Sequence, residues 1–154
     1  MSKVFVCTFL WLAGVLSLQV HGQSNSTLEP IPAKIQNRAE KLIKQASPAV
    51  RTWIWDEARD VVKNPKLDEQ AVGAAANTYF APKTPLTFEQ RRLLASVVFY
   101  QAALLEAKAY QLKPSKSTAD AYRAHAGAIK VPEEIPHVVQ NVFALDAKPQ
   151  SKVH

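Results

Sequence analysis

The stretch "WIWDEARD" (53–60) places two tryptophans around an isoleucine, with three carboxylates close behind. Aromatic rings can stack a sugar, and paired acids can move protons, so this is the chain's first candidate for chemistry. Helical phase divides it. Val50, Ile54, Ala58 and Val61 set an apolar stripe, with Val62 and Trp55 on one shoulder and Trp53 on the other. Residues two apart on a helix point about 200° from each other, so the tryptophans share no platform. Trp55 is expected in or at the edge of the core, and Trp53 on the opposite shoulder, where a tryptophan can meet a ligand but more often packs under a neighbouring helix or loop. Asp56 and Asp60 fall on the polar face beside Arg59 and Lys63. A glycosidase needs two carboxyls facing each other across a cleft. One helix face does not supply that, so a solvated, salt-bridged face is expected.

Other chemistries find less support. Beyond the first 22 residues there is no cysteine, which removes thiolate nucleophiles and thiolate metal sites. His125, His137 and His154 show no ligand spacing, and no H-E-x-x-H occurs. His125 is expected on a helix near Tyr122, at the boundary between core and surface, and no metal or cofactor is expected. Gly73 and Gly127 are the only glycines after residue 22, too few for the usual phosphate-cradling loops. No nucleophile–base–orienter set can be assembled, so the sequence leans away from an enzyme.

Lys34, Arg38, Lys41 and Lys44 make the stronger binding candidate. They gather on one side of a helix whose other side carries Ile35, Ala39, Leu42, Ile43 and Ala46. A basic amphipathic helix can lie on an anionic surface. No aromatic residues interleave with these cations and no base-reading motif is visible, so specific nucleic-acid binding is not expected.

The elements that position these residues read as helices. Helix 1 is expected at about 33–46, with Ser47-Pro48 as stop and restart. Helix 2 follows at about 48–63 and helix 3 at about 69–80, capped by Asp68. "APKTP" (81–85) breaks the pattern. Thr87 and Gln90 then make a capping box for helix 4, about 88–112. Its middle, "LLASVVFYQAALL" (93–105), is apolar all round, which marks a central enclosed helix, and is too short to span a membrane. "KPSKS" (113–117) is a loop. Helix 5, about 118–130, turns Ala119, Tyr122, Ala126 and Ile129 inward. Helix 6 starts near Pro136 and buries Val138, Val139, Val142 and Phe143. The fold class is all-α: one compact bundle of five or six helices around helix 4, spanning 33–147, with a polar tail at 148–154.

The chain opens with Lys3, a 15-residue apolar run (4–18), and Val20 and Gly22 in cleavage-site positions, the layout of a secretory signal peptide over 1–22. Residues 23–32 form a flexible lead-in, and Asn25-Ser26-Thr27 is a glycosylation sequon. With Lys3 in the leader, the remainder carries 18 Lys and Arg against 13 Asp and Glu, a net of +5. A secreted or periplasmic location is expected, where a basic protein can meet anionic lipids or glycans.

"YQAALLEAKAYQ" (100–111) followed by "ADAYRAHAGAI" (119–129) resembles the end of a helical domain of unknown function found in secreted bacterial proteins. That resemblance implies a bacterial source and an exported location, and it carries over no activity and no site residues.

The leading expectation is an exported, non-enzymatic helical domain that binds a protein partner or an anionic envelope component, through helix 1 or the 113–117 loop. Two alternatives stand beside it. One is a small envelope enzyme acting on polysaccharide, with Trp53 stacking sugar. The other is a carrier whose helix 4 lines a cavity for an apolar ligand.

Overall fold

A computed structural model describes residues 27–80 and 83–146; the proposed signal segment, the sequon's Asn25 and the tail from 147 lie outside them. The described residues form six α-helices and a 3-10 turn, with no strand. The helices are α1 (Ala33–Gln45), α2 (Pro48–Lys63), α3 (Glu69–Phe80), α4 (Phe88–Leu112), α5 (Lys116–Gly127) and α6 (His137–Gln140), and Asn141–Ala144 form the 3-10 turn.

Local chemistry fixes the boundaries. Ser47 Oγ accepts from Val50 N at 3.2 Å, with Pro48 at the first helical position. Asp68 Oδ1 accepts from Ala71 N at 2.9 Å. At α4 the capping box closes both ways: Thr87 Oγ1 accepts from Gln90 N, and Gln90 Oε1 accepts from Thr87 N. Ser115 Oγ accepts from Thr118 N, so α5 starts two residues before the sequence pattern suggests. Each such cap contributes about 1 kcal/mol.

The architecture is a bundle around α4. Twelve of the 25 residues of α4 are buried, including every residue from Leu93 to Ala103. Its principal packing partners are α5, α2 and α3, with smaller contacts to α1 and α6. No described helix is long and apolar enough to cross a membrane. The core adds Ala39 and Leu42 from α1, Val50, Ile54, Ala58 and Val61 from α2, and Val72, Ala76 and Phe80 from α3.

Two expectations about side chains are corrected. Trp55, expected in or at the edge of the core, is 40% exposed, while Trp53, open to either a ligand role or packing under a neighbour, is buried at 4% exposure. Both stand at similar angles from the stripe, so α2 alone does not choose between them. Phe80, the last residue of α3, does: its ring meets Trp53 edge-to-face at 5.6 Å. Val138, expected buried, is 66% exposed, because α6 is a single turn and hands over to the 3-10 turn that buries Val142 and Phe143.

Polar residues inside α4 reach outward to neighbours. The Tyr100 hydroxyl donates to Glu40 Oε1 of α1 at 2.9 Å. Burial, and then that hydrogen bond, push the Tyr100 hydroxyl's pKa well above its ordinary value. The folded protein therefore holds this proton where the unfolded chain releases it, and stability falls as pH rises past about 10. Urea unfolding of wild type and Tyr100→Phe checks this. The variant should start less stable at pH 8 and lose less stability between pH 9 and 11.

Close approach of α3 to α4 rests on Gly73. A Cβ there would stand 3.0 Å from Arg91 Cβ. Gly73→Val should cost about 2–3 kcal/mol through overpacking, outweighing any gain in helix propensity, and a lowered urea midpoint is the readout.

Candidate ligand groove and a buried histidine pair

Beyond α5 the chain runs as an extended strap, Ile129–Pro136, back across α1 and α4. Two polar contacts hold it. Buried Ser96 of α4 exchanges hydrogen bonds with Lys130: Lys130 N donates to Ser96 Oγ at 3.2 Å, and Ser96 Oγ donates to Lys130 O at 3.3 Å. Arg38 of α1 donates through Nη1 to Val131 O at 3.4 Å, and its Nη2 stands 3.4 Å from Glu133 Oε2. Further on, Gln90 donates to Val138 O, and Ser47 Oγ donates to Leu145 O at 2.6 Å, closing the strap over the bundle.

Between strap, α1 and the first turns of α4 lies an open groove of about 480 Å³. Ile35, Leu93, Ile129, Val131, Ile135 and Val139 give it apolar walls. Arg38, Arg92, Lys130 and Glu89 supply its charged members. Small-molecule sites have this size and this mix of apolar wall and a few polar groups. Arg92 Nε is buried without a hydrogen-bond partner, and the Glu69 carboxylate stands 3.7 Å from it, beyond hydrogen-bond reach.

The basic stripe of α1 divides on this groove. Lys34, Lys41 and Lys44 are exposed, and none forms an ion pair among the described residues. Arg38 is half-buried and lines the groove. Phase explains the split: at 100° per residue, Arg38 stands about 40° from Leu42, nearer the apolar stripe than any of the lysines.

The acids of the opening stretch make no site. Asp56 pairs with Arg59 at 3.0 Å and Asp60 with Lys63 at 3.8 Å, all four exposed. Glu57 is half-buried, and burial, then the nearby Asp60 charge, raise its pKa. Trp53, packed on Phe80, has no face to offer a sugar.

The most enclosed titratable residues are a pair that the sequence reading did not join. His125, expected on a helix at the boundary between core and surface, is buried at 3% exposure, and Glu106 at 2%. His125 Nδ1 lies 2.8 Å and 2.9 Å from the two Glu106 carboxylate oxygens, within hydrogen-bond reach of both. Phe99 stacks on the imidazole, rings within 7° of parallel. Nε2 is buried with no partner. The signal was in the phase. Glu106 follows Phe99, Ala102 and Ala103 at i+7, i+4 and i+3, and His125 follows Tyr122 at i+3. Among the described residues no cluster of three or more His, Cys, Asp or Glu is placed to hold a metal.

Fold and site together define an all-helical domain with an apolar, arginine-lined groove. Comparison with protein-family models, with curated proteins and with solved structures finds no match to the chain.

The Glu106–His125 pair makes a sharp prediction. Removing either partner leaves the other buried and unpaired, which costs about 3–5 kcal/mol. Glu106→Ala and His125→Ala should each lower stability by that order. The double variant should lose clearly less than the sum of the two, since the second truncation removes the orphan left by the first. Chemical denaturation of all four proteins closes the cycle.

Proposed function

We propose that this chain is an exported, non-enzymatic binding domain, and that the lysine face of α1 is the surface it presents to an anionic envelope component. One observation carries the reading. Lys34, Lys41 and Lys44 point to solvent from a helix whose opposite side, Ala39 and Leu42, is locked in the core. A row of ammonium groups on a fixed helix, without ion-pair partners among the described residues, is free to exchange its counterions for an anionic surface. The net charge of +5 after the proposed leader supports the same partner. Export is inferred from the leader's layout of Lys3, apolar run and small residues at the cleavage site. The acids on α2 are engaged with their own helix's cations, which favours binding over hydrolysis.

Co-sedimentation with vesicles tests this. The protein should bind vesicles containing an anionic lipid, bind purely zwitterionic ones weakly, and release as salt rises. Each lysine near a charged membrane contributes about 1 kcal/mol, so replacing Lys34, Lys41 and Lys44 together by alanine should weaken binding by roughly a hundredfold. Binding that ignores salt, or survives the triple replacement, would sink the proposal.

A further inference from the structure

The groove beneath the strap is a separate surface from the α1 lysines, and its chemistry is narrower. We propose that it binds a single-chain amphiphile with a carboxylate headgroup, the tail along the apolar walls and the carboxylate between Arg38 and Arg92.

Volume, charge and an unmet donor argue for that occupant. A methylene group needs about the room of a water molecule, roughly 30 Å³, so the 480 Å³ groove takes one chain of on the order of a dozen carbons rather than a two-chain lipid. Its walls are mostly aliphatic, which suits a hydrocarbon and gives a peptide's backbone amides few partners. Both arginines lie along it with loosely held acidic neighbours. Glu133, opposite Arg38, is 85% exposed, and Glu69 is too far from Arg92 to accept a hydrogen bond. Arg92 lines the groove, and its Nε, buried beside Glu69 at 3.7 Å, has no hydrogen-bond partner among the described residues, so a turn of the guanidinium would bring its fork of donors to a carboxylate. Glu89, also on the wall, limits the headgroup to one negative charge. A carboxylate that draws Arg38 from Glu133 leaves that acid in water, where the exchange is cheap.

The groove and the lysine face fail or succeed separately. Methyl-labelled isoleucine spectra of the full chain, titrated with dodecanoate, report on the groove alone. The Ile35, Ile129 and Ile135 methyls should shift and saturate, while Ile54, buried on the core face of α2, stays put. Arg38→Gln and Arg92→Gln should each raise the Kd about tenfold, and dodecanol, with the same tail and no charge, should bind at least tenfold more weakly. Val139→Trp, which fills the groove from a half-buried position, should abolish the shifts while leaving the Ile54 signal in place. The Lys34/Lys41/Lys44 alanine triple should keep full dodecanoate affinity. Absent shifts at the three groove methyls, equal affinity for dodecanol, or arginine variants with unchanged Kd would each overturn the proposal. Loss of vesicle binding with the groove shifts intact would overturn only the lysine-face reading.

Discussion

The structure depends on enclosing α4. From Leu93 to Ala103 this helix buries every residue, so it has no side to leave in water. Large apolar side chains contribute about 1.5–3 kcal/mol each when buried, and that gain is realised only if neighbours cover the helix all round. The packing follows. The remaining helices meet α4 more than they meet one another; of the other substantial contacts, both belong to the 3-10 turn, with α1 and with α6. A hub of this kind explains how a domain without cysteine can cohere: its covering helices share one buried axis in place of covalent ties.

Enclosure then dictates what the polar residues of α4 must do. A polar group shut off from water needs a partner from whichever element covers it, and three of the four buried polar residues of α4 have one. Ser96 finds the backbone of Lys130, Tyr100 finds Glu40 on α1, and Glu106 finds His125 on α5. These three contacts point to three different neighbours. Apolar packing alone tolerates sliding of one helix past another; a donor that must meet one acceptor does not. The polar residues of the central helix therefore set the register of the strap, α1 and α5, and the groove is a consequence. Ser96 and Arg38 hold the strap by its backbone at Lys130 and Val131, which leaves its side chains to line a space they do not fill.

Much of this was legible in the sequence, and the reason is local chemistry. Ser47-Pro48, Asp68 and the Thr87–Gln90 box bound helices through contacts within a few residues, and the ends of α2, α3 and α4 fall where those signals put them. The unbroken apolar text of 93–105 marked the central helix without any knowledge of its partners. What stayed hidden depends on partners. Trp53 and Trp55 flank the same stripe, and which is covered depends on other helices, among them the ring of Phe80, more than 20 residues away. Glu106 and His125 both lie on apolar phases of their own helices, but their pairing depends on α4 and α5 standing side by side. The groove needed three segments at once.

The division within the α1 stripe has a physical origin worth following to its end. Four cations share one helix, yet only Arg38 reaches the groove, because it sits closest to the apolar stripe. That border position suits arginine better than lysine. A guanidinium is planar and weakly hydrated, so it can lie half-buried against Val131 and Glu133 while keeping donors in hand. An ammonium is a compact, strongly hydrated charge, and it belongs where Lys34, Lys41 and Lys44 stand, in full water. The placement of the two cation types thus matches two kinds of recognition on one helix. The lysines can act at a distance on an extended anionic surface, with a strength that salt sets. Arg38, which lines the groove with Arg92, would act only at contact, and in the proposed reading on a single anion whose tail lies under the strap.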